Sequence, residues 1–375
     1  MAKKRAHHEG SIYRRKDGKW RAQVSLDGKR LSHTAASQRE CQTWIKEIRG
    51  QIDNGLTAKG SEETLETFLS NWLVTVSTSR AKSTYDHYRW IVEHRVNPHI
   101  GLYRMRDLKP DRIQRFYEHL TSLGLSNHAV HLTHKIIQVA FNHAVKMGVL
   151  GRNPCKGTTP PKPKQREMKF LDEDQVKILL ETAKAMGTKQ YALFYLALHT
   201  GLRQAELMGL KWEDVNWERR TIQVKRQVLY RRGEGFRFAK PKTSSGIRTI
   251  TLGEKAMEIL QQQQQLLRYL RDAAGEAWTS LDLVFPSEVG TPLTGSNIRR
   301  DFRQLLMLSG LPKIRFHDLR HTAASLMLNH GIPVLVASRR LGHSKASITL
   351  DVYGHLMPNK QEEAAQLLDG LMETT

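Results

Sequence analysis

Hydrophobic and polar positions alternate with a short period at the start of the chain. Ser11 to Tyr13, Trp20 to Leu26 and Arg30 to Ser32 are β-prone runs, separated by the turn signals Lys16-Asp17-Gly18-Lys19 and Asp27-Gly28-Lys29. They predict a three-stranded meander. Ser37-Gln38-Arg39-Glu40 then reads as a capping box, opening a helix with Trp44, Ile45 and Ile48 on one side. From Ser61 the rhythm turns helical, because Leu65, Phe68, Leu69, Trp72 and Leu73 recur at the spacing of one helix face. Further helices are expected from near Ser83, Pro110 and Ser126, with interruptions at Pro98 and Gly124.

Arg152 to Met168 carries Pro154, Pro160, Pro161 and Pro163 among basic residues and reads as an extended linker. Beyond it, helices are expected over Asp172 to Met186 and Gln190 to His199. A β-rich stretch from Thr221 to Leu252 follows, broken by Arg232-Gly233-Glu234-Gly235 and Ser244-Ser245-Gly246, and helices run from there to the end. Gln261 to Gln265 lies inside a helical pattern and is expected to be a solvated face. The tail after Pro358 has an acidic start, Gln361-Glu362-Glu363, and an apolar stripe of Leu367, Leu368, Leu371 and Met372. A stripe so short needs a surface to cover, on its own chain or on a neighbour's.

Charge adds a partner to this outline. The 375 residues carry 59 Lys and Arg against 37 Asp and Glu, a net charge of +22, which favours a polyanion. Nucleic acid leads and an anionic membrane surface follows. No apolar run reaches the roughly 18 residues of a membrane span, and mean hydropathy is −0.52, which weakens the membrane reading. Lys3, Lys4 and Arg5 are not followed by an apolar run, so no secretory signal is expected and the location should be cytoplasmic, at the nucleoid. Cys41 and Cys155 lie far apart, and His7, His8, His87, His94, His99, His119, His128, His131 and His134 do not combine with them at zinc spacing. No metal or cofactor is expected. Residues 1–58 hold 13 basic and 6 acidic side chains, residues 59–164 hold 16 and 8, and residues 165–375 hold 30 and 23. Positive charge is densest at the start, as if the first segments grip phosphates and the last does something more specific.

The candidate chemistry lies in the last segment. Thr200-Gly201-Leu202-Arg203-Gln204-Ala205-Glu206, Lys242 between Pro241 and Thr243, His317-Asp318-Leu319-Arg320-His321-Thr322, Leu341-Gly342-His343 and Leu350-Asp351-Val352-Tyr353-Gly354-His355 follow one another in that order. Each alone has a bland explanation: a structural ion pair, a solvated helix face, an interfacial tyrosine. Together they describe phosphoryl transfer without a metal, where fixed cations and donors hold the extra negative charge of the transition state. His317 and Arg320 share a helix face, and Arg203 approaches with a planar fork suited to phosphate oxygens. Tyr353 offers a phenol able to keep the energy of a broken phosphodiester in a covalent bond. Lys242, in the turn of a β-hairpin, is placed to protonate the leaving 5′ oxygen, and His343 to donate to a non-bridging oxygen. Which group takes the tyrosine proton is not readable. Glu206 is expected to orient its neighbours, and His321 and His355 to be structural.

These residues carry a resemblance. Residues 165 to 375 resemble the catalytic domain of the tyrosine recombinase, or phage integrase, family, whose Arg, Lys, HxxR, His and Tyr match Arg203, Lys242, His317, Arg320, His343 and Tyr353 in order. Residues 61 to 155 resemble that family's helical core-binding domain. Gly10 to Tyr13 and Gly18 to Val24 resemble the three-stranded arm-binding domains of integrases from phages and integrative elements. The resemblance implies strand cutting and rejoining through a 3′-phosphotyrosine, for integration and excision of a mobile element. It also implies double-stranded DNA at core and arm sites, a homotetramer acting through a Holliday junction, and accessory partners of the excisionase and host DNA-bending kinds.

The expected fold is therefore multidomain α+β: an arm-type DNA-binding domain of three strands and a helix (1–58), a helical core-binding domain (59–155), a linker (156–168), and a mainly α catalytic domain with a small antiparallel sheet and a tail (169–375). A type IB topoisomerase would share the chemistry but relax supercoils without strand exchange, and the added arm-binding domain argues against it. A non-catalytic DNA-binding regulator would need only the charge. Trp20 and Trp44 could stack on bases or pack a small core, and Arg299, Arg300 and Arg303 form a solvated or phosphate-contacting helix face.

Overall fold

The structure, a computed structural model, describes residues 10–26, 29–53, 62–164, 169–231, 233–241, 243–354 and 361–372. The chain divides into two compact units, residues 1–166 and 167–375. The first holds two separate apolar clusters. One belongs to β1 (Ser11–Arg14), β2 (Trp20–Leu26) and β3 (Lys29–Ala35), an antiparallel meander, and to α1 (Gln38–Asp53). The register pairs Ile12 with Ala22 and Ala22 with His33, and Val24 with Leu31. Alternation along strands sends those side chains to one face, where Ala22 and Val24 are buried with Cys41 and Ile45, and Trp20, Trp44 and Ile48 pack around them. The other face carries Tyr13, Arg21, Gln23, Arg30, Ser32 and Thr34. Trp44 stacks on His33 at 5.4 Å, so this tryptophan belongs to the small core.

The other cluster is helical: α2 (Leu65–Ser79), α3 (Lys82–Ile91), α4 (Pro110–Ser122) and α5 (Asn127–Lys146). The whole expected stripe of α2, Leu65 through Leu73, is buried. Thr64 and Ser126 cap α2 and α5 by accepting the backbone N–H groups of Thr67 and Ala129. Pro98 does not break the chain out of helix. Val92–Val96 forms a wide helical turn and Asn97–Ile100 a short helix in which proline takes an early position, where its missing N–H costs nothing.

The second unit is built around α7 (Thr188–Thr200), which packs on α6 (Glu173–Met186), α9 (Glu254–Ala274) and α11 (Asp318–Asn329). Between α8 (Gln204–Met208) and α9 the described residues form five short strands: β4 (Val215–Asn216), β5 (Thr221–Val224), β6 (Gln227–Arg231), β7 (Gly235–Ala239) and β8 (Arg248–Thr251). They form two antiparallel sheets, β4-β5-β8 and the hairpin β6-β7. α10 (Gly295–Leu308), α12 (Val334–Leu341), α13 (Ala346–Tyr353) and α14 (Gln361–Met372) complete the unit. The glutamine run departs from expectation at one position. Gln261, Gln262 and Gln265 are exposed, but Gln263 is fully buried and donates to the Val284 carbonyl at 2.9 Å, because its turn of α9 faces the core. On α14, Leu368, Leu371 and Met372 are exposed. No helix among the described residues is long and apolar enough to cross a membrane.

Candidate active site

The site is assembled from loops and helix ends of the second unit. α7 ends at Gly201 in the left-handed region (φ +63°), and a Cβ there would lie 2.5 Å from Leu341 Cδ2, so only glycine fits the turn and the contact together. That close passage presents the Gly201 carbonyl to Arg320, whose Nη1 donates to it at 2.7 Å. Two residues on, Arg203 opens α8. Glu206, in the first turn, accepts from the Arg203 backbone N–H at 3.1 Å and from its Nη1 at 2.8 Å.

Glu206 is buried and holds a second cation, Arg248 of β8, at 3.0 Å. Arg248 also donates to the carbonyls of Arg340 (2.7 Å) and Gly246 (3.0 Å), so β8 is fastened to the end of α12. α12 stops at Gly342 (φ +73°), where a Cβ would sit 2.8 Å from Arg248 Nη1, and the Gly342 carbonyl accepts from Arg203 Nη2 at 3.4 Å. These two glycines let three segments close on one spot. His343 follows directly, its Nδ1 bonded to Thr349 Oγ1 at 2.8 Å.

Two guanidiniums, Arg203 and Arg248, thus share one buried carboxylate, and Arg320 lies within reach of its charge. Burial together with the charges of Arg203 and Arg248 pushes Arg320 down to about 9. Burial and the same cluster of arginines push His343 down to about 4, and burial with the neighbouring His321 and Arg320 does the same to His317. Glu206 is held below the usual carboxylate range: burial works against its charge, but Arg248 and Arg203 prevail. Arg320 is 4% exposed, and its Nη2 has no hydrogen-bond partner among the described residues. A buried donor on a cation, left open in a positive surround, is a site for an anion.

Tyr353 ends α13. Its ring is buried against Ala324, Leu328, Ala337 and Leu341, and its hydroxyl hydrogen-bonds His321 Nδ1. Burial pushes the phenol up to about 12, with Arg320 pulling the other way. Arg203, Arg320, His343 and Tyr353 are therefore brought together, with His317 one turn from His321 on α11 and its ring edge-on to it at 5.2 Å. Lys242 lies outside the described residues. His355 is also outside the described residues.

Two residues that contact the site were not singled out for it in the sequence. Arg248 shares the inward face of β8 with buried Ile250, a signal that strand alternation does carry. His321, expected to be structural, bonds the hydroxyl of Tyr353, because the i, i+3, i+4 geometry of a helix start puts His317, Arg320 and His321 side by side. Among the described residues no group of three or more His, Cys, Asp or Glu is placed to hold a metal.

Comparison with known proteins places these features. The phage integrase family matches residues 169–360, and the N-terminal SAM-like domain of phage integrases matches residues 64–121. The tyrosine recombinase XerC-like protein of Caldanaerobacter subterraneus subsp. tengcongensis is 30% identical over 89% of this chain and 90% of its own length. The ICEBs1 integrase of Bacillus subtilis is 25% identical over 96% of this chain and 100% of its own. In fold, the chain resembles the Tn1549 transposon integrase in complex with a circular intermediate DNA (TM-score 0.69, 21% identity, 82% and 99% of the two chains covered). It also resembles a lambda integrase tetramer bound to a Holliday junction (TM-score 0.56, 17% identity, 96% and 97% covered).

Proposed function

Because the chain belongs to the phage integrase family and is a site-specific DNA recombinase of the kind that integrates and excises mobile elements, we propose that Tyr353 is its nucleophile and Arg203, Arg320, His317 and His343 its phosphate clamp. The Tyr353 oxygen attacks the scissile phosphorus, the bond to the 5′ oxygen breaks, and a 3′-phosphotyrosine conserves the energy for rejoining. The arginines meet the non-bridging oxygens, and His343 and His317 donate to the charge that develops there. Lys242 delivers the proton to the leaving 5′ oxygen. The observation that carries this reading is the open Nη2 of buried Arg320, in the same electrostatic neighbourhood as Arg203, Arg248 and the Tyr353 phenol.

The partners are double-stranded DNA at core and arm sites and three further copies of the chain, exchanging strands pairwise through a Holliday junction, with an excisionase and a host DNA-bending protein as accessories. The enzyme works in the cytoplasm at the nucleoid. Residues 1–58 bind arm DNA, 59–155 clamp core DNA, 156–168 link, and 169–375 cut. Separate apolar clusters for the meander and the helices support the first division. Exposed Leu368, Leu371 and Met372 support a tail that docks on a neighbouring protomer. The test is a nicked suicide duplex copied from the attachment junction flanking the gene. Wild type should accumulate covalent adduct on a denaturing gel, and Tyr353→Phe should bind the duplex equally and form none. An adduct formed by the Tyr353→Phe protein ends the assignment.

A further inference from the structure

A buried phenol pushed up to about 12 does not ionise by itself near neutral pH, so its proton needs an acceptor at the moment of attack. Among the described residues, three histidines surround the site. The Nδ1 of His343 is occupied by Thr349 Oγ1 and its ring lies among Arg320, Arg203 and Arg248, a setting that repels an added proton. His317 is repelled by Arg320 and Arg315 and has no hydrogen bond to Tyr353. His321 alone of the three has a ring nitrogen on the reacting oxygen: Nδ1 meets Tyr353 Oη, with ring centroids 5.7 Å apart.

We propose that His321 is the proton acceptor for Tyr353, a role that rests on Tyr353 being the nucleophile. As the Oη–phosphorus bond forms and the phosphorus–O5′ bond breaks, the phenolic proton passes to His321 Nδ1, and the electron pair leaves on the 5′ oxygen, which takes a proton from the general acid. In rejoining, the 5′ hydroxyl attacks and gives its proton back to the general acid, the bond from phosphorus to Tyr353 Oη breaks, and His321 returns its proton to the leaving phenolate. For Nδ1 to accept, the resting imidazole carries its hydrogen on Nε2. The groups facing it are Asp318 and Arg315 at the start of α11, Arg320 beside it, His317 one turn back, His343 from beyond α12, and Tyr353 from α13. Burial, Arg315 and Arg320 lower the proton affinity of the resting His321, while Asp318, fixed by Arg315 at 2.7 Å, is the carboxylate that steadies the imidazolium once the proton arrives.

The test is single-turnover cleavage of the nicked duplex by the full-length protein between pH 5.5 and 9.5, comparing wild type, His321→Ala and His321→Asn. Asn keeps an acceptor for the phenol but takes no proton. Both variants should cleave on the order of 10²-fold more slowly at pH 7, the size of a lost general base. Their rates should climb with hydroxide where wild type is flat, and added imidazole should restore His321→Ala. Cleavage at the wild-type rate overturns the proposal, as does a slow variant that keeps the wild-type pH profile and ignores imidazole, which marks a structural role. A faster variant overturns it too, because the contact would then be holding Tyr353 back. Thermal melting and duplex binding of each variant report folding separately. Absence of adduct with Tyr353→Phe alongside wild-type cleavage by His321→Ala removes this inference alone and leaves the nucleophile standing.

Discussion

The pocket around Arg320 and the meander of residues 11–35 are both basic, yet they hold positive charge in opposite ways. In the pocket, Arg248 and Arg320 are 7% and 4% exposed, and each is fixed by backbone carbonyls that a passing chain delivers. In the meander, Arg14, Arg15, Lys16, Lys19 and Arg30 are exposed, and their partners are local, such as Gly18 for Arg14 and Asp17 for Arg15. Buried cations have lost their water before the substrate arrives, so a phosphate meets donors already aimed and a weak dielectric screen. Exposed cations stay hydrated and mobile, and their attraction falls with salt. On the proposed reading, one region is arranged for chemistry and the other for grip.

The largest effect should come from breaking the pocket at its open donor. Arg320→Ala removes the unpartnered Nη2 and the bond to Gly201, and single-turnover cleavage should fall by on the order of 10²-fold or more. Binding of the same duplex in a filter assay should change little, since grip is distributed over many exposed cations. Cleavage at the wild-type rate removes Arg320 from the clamp. Arg203→Ala should be comparably slow, though its half-exposed guanidinium leaves Glu206 still paired with Arg248.

Arg248→Met sharpens the comparison through stability. It strands Glu206, a buried carboxylate, with Arg203 alone, and cuts the tie from β8 to the end of α12. Breaking a buried pair costs about 3–5 kcal/mol, whereas an exposed pair is worth under about 1 kcal/mol. Urea unfolding should show that gap between Arg248→Met and Arg15→Met. Replacing both partners, Glu206→Gln with Arg248→Met, should recover much of the stability. Equal losses for Arg248→Met and Arg15→Met would erase the distinction between the regions.

Acid should divide the regions more gently. His199, His317 and His343 are each held down to about 4 by burial and neighbouring positive charge, against an ordinary value of 6.5. Above pH 6.5 both folded and unfolded chains keep them neutral, and no stability is lost. Between 6.5 and about 4 the unfolded chain takes up protons that the folded one refuses, so stability falls with pH across that window. Glu206 and Asp318, depressed from 4.5 and 3.8, add their losses lower down. The urea midpoint of the free protein should drop from pH 6.5 to 4.5, and His343→Gln should flatten the drop. An unchanged slope in that variant would mean that His343 is not held neutral.

How far the pocket could be read from sequence follows from the distances its contacts span. The TGLRQAE, HDLRHT, LGH and DVYGH runs were legible because each places its residues within one turn or cap, and the α2 stripe because periodicity survives in any helix that buries one face. The pairings 206 with 248, 201 with 320 and 203 with 342 were not, since they depend on which glycine lets which segment approach. Arg248 showed its inward face by alternation but not its partner. Gln263 departed from expectation for one reason: a polar residue in a helical pattern looks solvated until the neighbouring element is known. The proton acceptor stayed open for the same cause, as His321 and Tyr353 lie 32 positions apart and meet only when α11 and α13 pack.

The smallest effect on cutting should come from removing the meander. Its apolar cluster of Ala22, Val24, Ala35, Cys41 and Ile45 is its own, so deleting residues 1–58 should leave the helical cluster and the pocket folded. A minimal core duplex should then be cleaved at close to the wild-type rate. Binding to a long duplex carrying arm sites should weaken and, more tellingly, lose salt dependence. Each phosphate contact contributes about 0.9 to the slope of log K against log salt, so the loss of three or four contacts from Arg14, Arg15, Lys16, Lys19 and Arg30 should flatten it by about 3. The open face of the sheet, with Arg21, Gln23, Ser32 and Thr34 held in register by strand pairing, makes a second distinction. Gln23→Ala should reduce discrimination among arm sequences while leaving the slope intact, because a base-edge contact specifies and a phosphate contact only positions. A truncated protein with an unaltered slope would assign the grip to the remaining residues, and the contrast between the two basic regions would then lie within residues 59–375 alone.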